Sequence, residues 1–303
     1  LIRAVQATAP LAVELAEGVA VALDRRVWCR VEPAPGGFVF ENRTSLRRVR
    51  AATLAEAEAA GGDEPAVGLW RALGGFPEAQ VAVQPRVGNE LGLGVVEALA
   101  VALAGALEAV TGSGGRAEAL DRGPLRRAAL AASRYGGVVG ISRLADRPWG
   151  RRLRADPARV EEWLLLIDLP GTAEEAAASV KAAPARGGDA ALARRVREAL
   201  EDARYSDVGR LLAQEAGPDR EGMGAAPSAW SRLASAARAR GGAVLRLGRA
   251  ASGGLLWVAP AGRGEVLAVA CQAGARVLPV RLDLLGLEVE AEGEKKVQSR
   301  VPL

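Results

Sequence analysis

A mixed fold of strands and helices, in one large or two modest domains, is what this sequence predicts. Short β-like runs crowd the first 40 residues, and alanine-rich stretches of helical composition follow, the central one from Val95 to Val110. The 303-residue length is long for one compact core. Half the residues are hydrophobic and a quarter are charged, which fits a globular chain and excludes a disordered one. Aromatics are only 4%, so Ala, Leu and Val must fill the core.

Leu1 to Pro10 reads as a strand. Val19 to Leu23 and Val27 to Pro33 read as two more, parted by Asp24-Arg25-Arg26. Gly36-Gly37 turns the chain into a hairpin strand, Phe38 to Phe40. Thr53 to Ala60 is helical and ends at Gly61-Gly62; Ala66 to Leu73 is a short helix and Gln80 to Gln84 alternates as a strand. The central helix ends near Thr111-Gly112. Arg116 to Arg134 is a second helix, interrupted at Gly123-Pro124 and closed by Tyr135-Gly136-Gly137 before a β-run, Val138 to Ser142. The basic stretch from Asp146 to Pro157 is the candidate domain boundary, dividing the chain into 1–152 and 153–303. Beyond it come a strand (Trp163 to Leu169), helices (Thr172 to Ala182, Ala190 to Glu215), a loop to Ala226 and a helix (Ser228 to Arg240). Ala243 to Leu247 and Leu255 to Ala259 are strands around a small-residue loop, Gly248 to Gly254. Gly264 to Gln272 is a helix and Arg276 to Leu282 a strand, and the charged tail from Glu288 is expected to be mobile.

Composition removes several functions. Without histidine there is no His-based triad, no His general base and almost no route to a catalytic zinc site. Net charge is +4, but the arginines are scattered among acids, so nucleic-acid binding is allowed without being indicated. No segment reaches 18 uncharged apolar residues, which argues against a membrane span. Arg3, Glu14 and Glu17 interrupt the apolar start, unlike the core of a signal peptide. Cys29 and Cys271 are far apart and make no disulfide framework, so a reducing cytoplasm is the expected setting. Abundant Ala and Arg with one Met suggest a high-GC and thermophilic source.

The stretch carrying chemistry is VGNELGLGVVEALAVALAGALEAV, Val87 to Val110. Leu91-Gly92-Leu93-Gly94 tightens just before the long helix, where free N–H groups and the helix dipole favour an anion such as phosphate. A tight turn serving helix packing gives the same pattern, and both readings stay open. Where a phosphate loop places small hydroxyls, this chain has Val95, Val96 and Glu97. Glu97 is read as a carboxylate complementing the helix N-terminus or as a replacement magnesium ligand. Asp24 and Asp168 stand at strand ends, with turn or surface roles as the plainer reading. The six tryptophans read as core or interface anchors, and the Arg147 to Arg154 cluster as a solvated segment or a seat for an acidic partner.

The order of these pieces resembles the GHMP small-molecule kinase superfamily, which includes galactokinase, homoserine kinase and mevalonate kinase, and most of all its heptose-7-phosphate kinase-like sugar branch. The resemblance rests on Ala9-Pro10-Leu11 with Val19 to Pro33, Leu91 to Gly94, Tyr135-Gly136-Gly137, Trp163 to Asp168 with Gly171-Thr172, Gly241 to Val258, and Val277 to Gly286. It covers about 1–288 and implies a two-domain α+β fold. That fold pairs an N-terminal α/β domain of the ribosomal-S5-like type with a C-terminal ferredoxin-like domain. ATP and a small substrate would bind between them. The residues it assigns to the nucleotide are Leu91, Gly92, Leu93, Gly94, Val95, Val96, Glu97, Gly248, Arg249, Gly253 and Gly254.

The chain departs from the pattern where the chemistry should be. The substrate-side loop after Ala9-Pro10-Leu11 is missing, because Glu14 to Gly18 runs almost straight into the next strand. Valine at 95 and 96 offers no oxygen to a hard cation. Counting back six residues from Tyr135, the expected catalytic aspartate is Ala129, with Arg127 at the family's basic position. The third glycine motif carries Arg249, read as a solvated loop residue or as a guanidinium filling the vacant phosphate position. Phosphoryl transfer rests on positioning and charge stabilisation, so these losses imply a pseudokinase needing no cofactor. Its expected partner is a protein or a second copy of itself. The alternatives are a divergent ATP- and magnesium-dependent kinase of a sugar or sugar phosphate, and a binding protein, without chemistry, for a sugar-like molecule or a nucleotide.

Overall fold

Strands β1 (Val5–Ala16) and β2 (Val19–Pro33) form one long antiparallel hairpin that closes through Glu17-Gly18, with Ala16 paired to Val19. Gly18 takes the left-handed conformation (φ 79°) that so short a turn demands. Where the resemblance calls for a substrate-side loop, this chain therefore has a tight turn.

The computed structural model describes residues 4–61, 64–85, 93–114, 126–144, 147–169, 190–216, 228–247 and 253–292. They form an α+β fold with two sheets. The first has eight strands: β12 (Glu288–Ala291), β1, β2, β5 (Ala79–Pro85), β3 (Phe38–Asn42) and β4 (Arg47–Ala51) in that order, with β6 (Val138–Leu144) on β2 and β7 (Arg147–Arg152) on β6. Only β3 and β5 pair in parallel. The second is antiparallel, in the order β11 (Arg276–Leu278), β8 (Leu164–Asp168), β10 (Gly253–Trp257), β9 (Ala243–Arg246).

Helices α1 (Leu54–Gly61), α2 (Pro65–Ala72), α3 (Val95–Thr111) and α4 (Arg127–Tyr135) accompany the first sheet. Helix α3 is buried on nearly every side because it lies among β1, β2, α2, α4 and β12, and a stripe of apolar residues on one face would not have sufficed. Gly105 lets it approach β12: a methyl there would stand 2.7 Å from Leu287. Helices α5 (Pro157–Trp163), α6 (Ala190–Glu201), α7 (Tyr205–Ala216), α8 (Ala229–Ala239) and α9 (Arg263–Gln272) belong to the second half of the chain. There Trp163, Tyr205 and Trp257 stack with ring centroids 6.1–6.4 Å apart, and the Trp257 indole donates to the Tyr205 carbonyl at 2.9 Å. Among the described residues no helix is long and apolar enough to cross a membrane.

Several elements differ from the sequence expectation. Asp24-Arg25-Arg26 does not break β2, because Arg26 is satisfied by distant groups: it pairs with Asp283 and with Glu288, and donates to the Thr8 hydroxyl at 3.2 Å. The tail from Glu288 forms β12, paired with β1 from Thr8↔Glu288 to Val5↔Ala291. Strand β4 and helix α5 were not expected. Within the proposed boundary segment, Arg147 to Arg152 is β7, in register with β6 from Leu144 to Val139, and Asp156 then caps α5 by accepting from the Ala158 N–H at 3.0 Å. The long helix from Ala190 is two helices. Ala203 holds the left-handed position (φ 56°) that glycine usually fills, and Arg204 clasps Asp202 and Asp207 across the break. Gly253-Gly254 belong to β10 instead of the preceding loop, and β11 stops at Leu278. The expected helix over 172–182 and all of Arg116 to Pro124 lie outside the described residues.

Candidate functional site

Gly94 is the residue on which α3 starts. Its φ is 69°, and a Cβ there would lie 2.5 Å from the Ala12 carbonyl oxygen of β1, so both conformation and space require glycine. Leu93 before it is fully buried, and Val95 and Val96 open the helix with hydrocarbon.

Within the first turn, Glu97 is 6% exposed. Arg126, the residue just before α4, donates Nε to Glu97 Oε1 at 2.8 Å and Nη2 to Oε2 at 3.2 Å. This is the two-pronged geometry in which guanidinium and carboxylate match best. Burial pushes the Glu97 carboxyl up. The Arg126 hydrogen bonds and charge, helped by the backbone N–H groups of Glu97 and Arg126, outweigh it and leave the group below its ordinary range. Burial likewise pulls Arg126 down, and Glu97, with a weaker contribution from Glu14, raises it above its usual value. Glu14 sits on β1, its Oε1 accepting from the Gly18 N–H of the hairpin turn at 3.2 Å.

The N-terminal turn of α3 thus already holds an anion, the carboxylate of its own third residue, and the cation beside it is committed to that carboxylate. Both Glu97 oxygens face a guanidinium. Among the described residues no three Asp, Glu or Cys side chains gather into a metal-binding set. Leu91, Gly92, Gly248 and Arg249 lie outside the described residues, and so does the idea that Arg249 fills a phosphate position.

Ala129 is fully buried on the face of α4 that packs against β1 and β2. It shares a cluster with Ala12, Ala20, Ala22, Ala128, Ala132 and Val139, so helix and sheet meet there mainly through small side chains. Arg127 points outward and is exposed. Tyr135-Gly136-Gly137 seats the turn from Asp283 to Gly286. Gly136 has φ 71°, and its missing Cβ would stand 2.7 Å from the Gly286 nitrogen, while Gly137 N–H donates to the Asp283 carbonyl. Gly253 and Gly254 are paired within β10, opposite Asp168 and Ile167, and the Trp230 ring fills the space a Gly254 side chain would take. Asp168 ends β8 with Arg276 at 3.9 Å, and Asp24 is exposed.

The structure therefore brings Gly94, Val95, Val96 and Glu97 together with Arg126 and Glu14, two residues to which the sequence reading gave no role at this site. A signal for Arg126 existed. A cation at the start of a helix opposes the helix dipole, so Arg126 ahead of Arg127 to Tyr135 requires a carboxylate from elsewhere.

No protein-family model matches the chain, and no curated protein matches it. Solved structures do. The D-glycero-D-manno-heptose 1-phosphate kinase from Bacteriodes thetaiotaomicron superposes with a TM-score of 0.70 at 16% identity, covering 96% of this chain and 100% of that one. The mevalonate diphosphate decarboxylase from Staphylococcus aureus gives 0.63 at 12% identity over 96% and 98% of the two chains. The mevalonate kinase from Methanococcus jannaschii gives 0.60 at 11% over 92% and 98%. The fold is that of the GHMP small-molecule kinases.

Proposed function

We propose that this chain is a catalytically degenerate GHMP-kinase homologue, a pseudokinase with a structural or regulatory binding role. The observation that supports it best is the setting of Ala129. Where the resemblance puts a catalytic aspartate, a methyl group is packed at zero exposure in an apolar cluster of alanines and Val139, a setting that disfavours a carboxylate. The Glu97–Arg126 pair adds to this, since it places a carboxylate at the helix N-terminus and commits the neighbouring guanidinium to it, where a nucleotide's phosphates need uncommitted positive charge. No ATP or magnesium is needed for the role proposed, and the partner is a protein. Calorimetric titration with ATP and magnesium, with a thermal-shift check, tests it together with a phosphoryl-transfer assay on sugars and sugar phosphates. Silence in all three is expected; turnover that disappears in Glu97→Ala would sink the reading.

One observation favours a second reading, a divergent ATP-dependent kinase acting on a sugar or sugar phosphate like the heptose 1-phosphate kinase it resembles in fold. Glu14 supplies a half-buried carboxylate beside Arg126, close to where α3 begins. Under that reading Glu14 replaces the aspartate, and Glu14→Gln removes turnover while leaving nucleotide binding intact.

A further inference from the structure

The first sheet has two faces, and its outer one is unlike the helix-covered one. Strand β2 buries Val27, Cys29 and Val31 and turns Arg26, Trp28, Arg30 and Glu32 the other way. One row of paired residues crosses six strands on that outer face: Glu290, Gln6, Arg30, Ala82, Glu41 and Arg48. Trp28 lies near the middle. Its ring is half-buried, its indole N–H donates to Gln6 Oε1 at 3.1 Å, and the Arg43 guanidinium sits 4.7 Å above the ring.

Charge is divided across this face. Toward the β12 edge stand Glu32, Glu288, Glu290 and Glu292 against Arg26 and Arg30, and Arg30 is held between Glu32 at 2.7 Å and Glu292 at 2.8 Å. Toward the β4 edge stand Arg43, Arg48 and Arg50 against Glu41, and all three arginines are exposed. A face acidic along one edge and basic along the other is complementary to itself. A two-fold axis running along the strands, in the plane between two such faces, lays the acidic edge of each copy on the basic edge of the other. It also places β2 of one copy over β5 of the other, so Trp28 becomes a rigid aromatic anchor at the centre. Any axis running across the strands would instead oppose like charges.

We propose that this outer face is the contact surface of a homodimer, its occupant a second copy of this chain. Six strands about 4.8 Å apart and roughly five residues long give a footprint of about 24 by 17 Å, roughly half the ~800 Å² per partner of a standard stable interface. The dimer is accordingly weak and sensitive to salt. The face lies on the opposite side of the sheet from α3 and α4, so the proposal stands or falls apart from the reading of the Glu97–Arg126 site.

Sedimentation velocity of the full chain over a concentration series, at low and high salt, is the test. Wild type is expected to show a monomer–dimer equilibrium at low salt that shifts to monomer at high salt. Arg48→Glu with Arg50→Glu weakens it about tenfold or more, and Glu290→Arg with Glu292→Arg does the same. Because one doubly substituted chain is then acidic along both edges and the other basic, mixing them restores a dimer. Thermal melts and Trp fluorescence confirm that each variant is folded. A wild type that stays monomeric throughout, or a dimer that neither pair of substitutions weakens, overturns the proposal, as does failure of the mixture to associate.

Discussion

Arg126 and Glu97 meet through two hydrogen bonds, Nε to Oε1 at 2.8 Å and Nη2 to Oε2 at 3.2 Å, across 29 residues of sequence. The pair joins the start of α4 to the first turn of α3, so the junction of two helix N-termini is neutralised by the chain itself. Glu97 is almost entirely buried while Arg126 is 38% exposed, so the carboxylate depends on the guanidinium more than the reverse.

Arg126→Ala is therefore expected to cost about 2 kcal/mol, below the ~3–5 kcal/mol of fully buried pairs because solvent reaches Arg126. Urea unfolding measures it. The pH dependence has a definite sign. The Glu97 carboxyl is depressed in the folded chain from an ordinary value of 4.5, so the unfolded state takes up its proton first as the solution acidifies. Stability from this group is complete above that value and is lost as pH falls below it. Glu97→Gln should flatten that part of the acid limb, and an unchanged slope would show the pair to be unimportant.

Restoring the aspartate at Ala129 should fail. An Asp side chain would have to enter a cluster of five alanines and Val139 already in contact with β1 and β2. It would be both oversized and an unpaired charge in an apolar setting, so a loss of about 3 kcal/mol or more is expected, with no phosphoryl transfer gained. Thermal unfolding and a kinase assay on Ala129→Asp decide it. A stable variant with new turnover would mean that the cluster is looser than its packing indicates.

Why some of this was legible and some was not comes down to where each residue finds its partner. The early strands and α1 to α3 are written in local terms: short β-like runs, the Gly61-Gly62 end and an alanine-rich run. Arg26 looks like a strand breaker because its carboxylates, Asp283 and Glu288, are more than 250 residues away. Strand β4, RRVRA, carries too many charges to read as β, yet Val49 alone needs burial at a sheet edge. Strand β12 was hidden the same way, since Glu288, Glu290 and Glu292 reach solvent or guanidinium groups while only the backbone joins β1. Glu97 was visible as a carboxylate at a helix start, and Arg126 as a cation opposing the dipole of the next helix, but nothing local said that the two, 29 residues apart, would meet.

The two cysteines should behave oppositely. Cys271 is exposed and Cys29 is wholly buried in β2, its thiol pushed up to about 12 by burial, with the Ala7 N–H opposing only in part. A thiol reagent is expected to label Cys271 alone in the native chain and Cys29 only after unfolding. In the unfolded chain Cys29 ionises near 9.0, before the folded one does, so folding stability falls as pH climbs from about 9 toward 12. Cys29→Ala removes that part of the alkaline loss. Native labelling of two thiols per chain would contradict the burial.

Asp283 holds the returning C-terminal segment on the first sheet. Its Oδ1 accepts from the N–H groups of Leu285 and Gly286, both at 2.9 Å, and its Oδ2 pairs with Arg26. Arg26 in turn donates to the Thr8 and Gly286 carbonyls, so one carboxylate and one guanidinium bind the turn to β1 and β2. Asp283→Ala strands two N–H groups and part of a cation at once, and a cost of about 3 kcal/mol is expected. Asp283→Asn keeps an oxygen for the turn but turns a non-accepting NH2 toward Arg26, losing both the charge and that hydrogen bond, so it should fall between that variant and wild type. Because the segment after the turn ends as β12 on the edge of the sheet, loss of its anchor should show there before the rest unfolds. Limited proteolysis should therefore cut Asp283→Ala between Leu284 and Glu292 under conditions that leave wild type whole. If cleavage instead follows global unfolding in both chains, β12 is held by its backbone ladder to β1 and by Glu292 on Arg30, and the Arg26–Asp283 contact only shapes the turn.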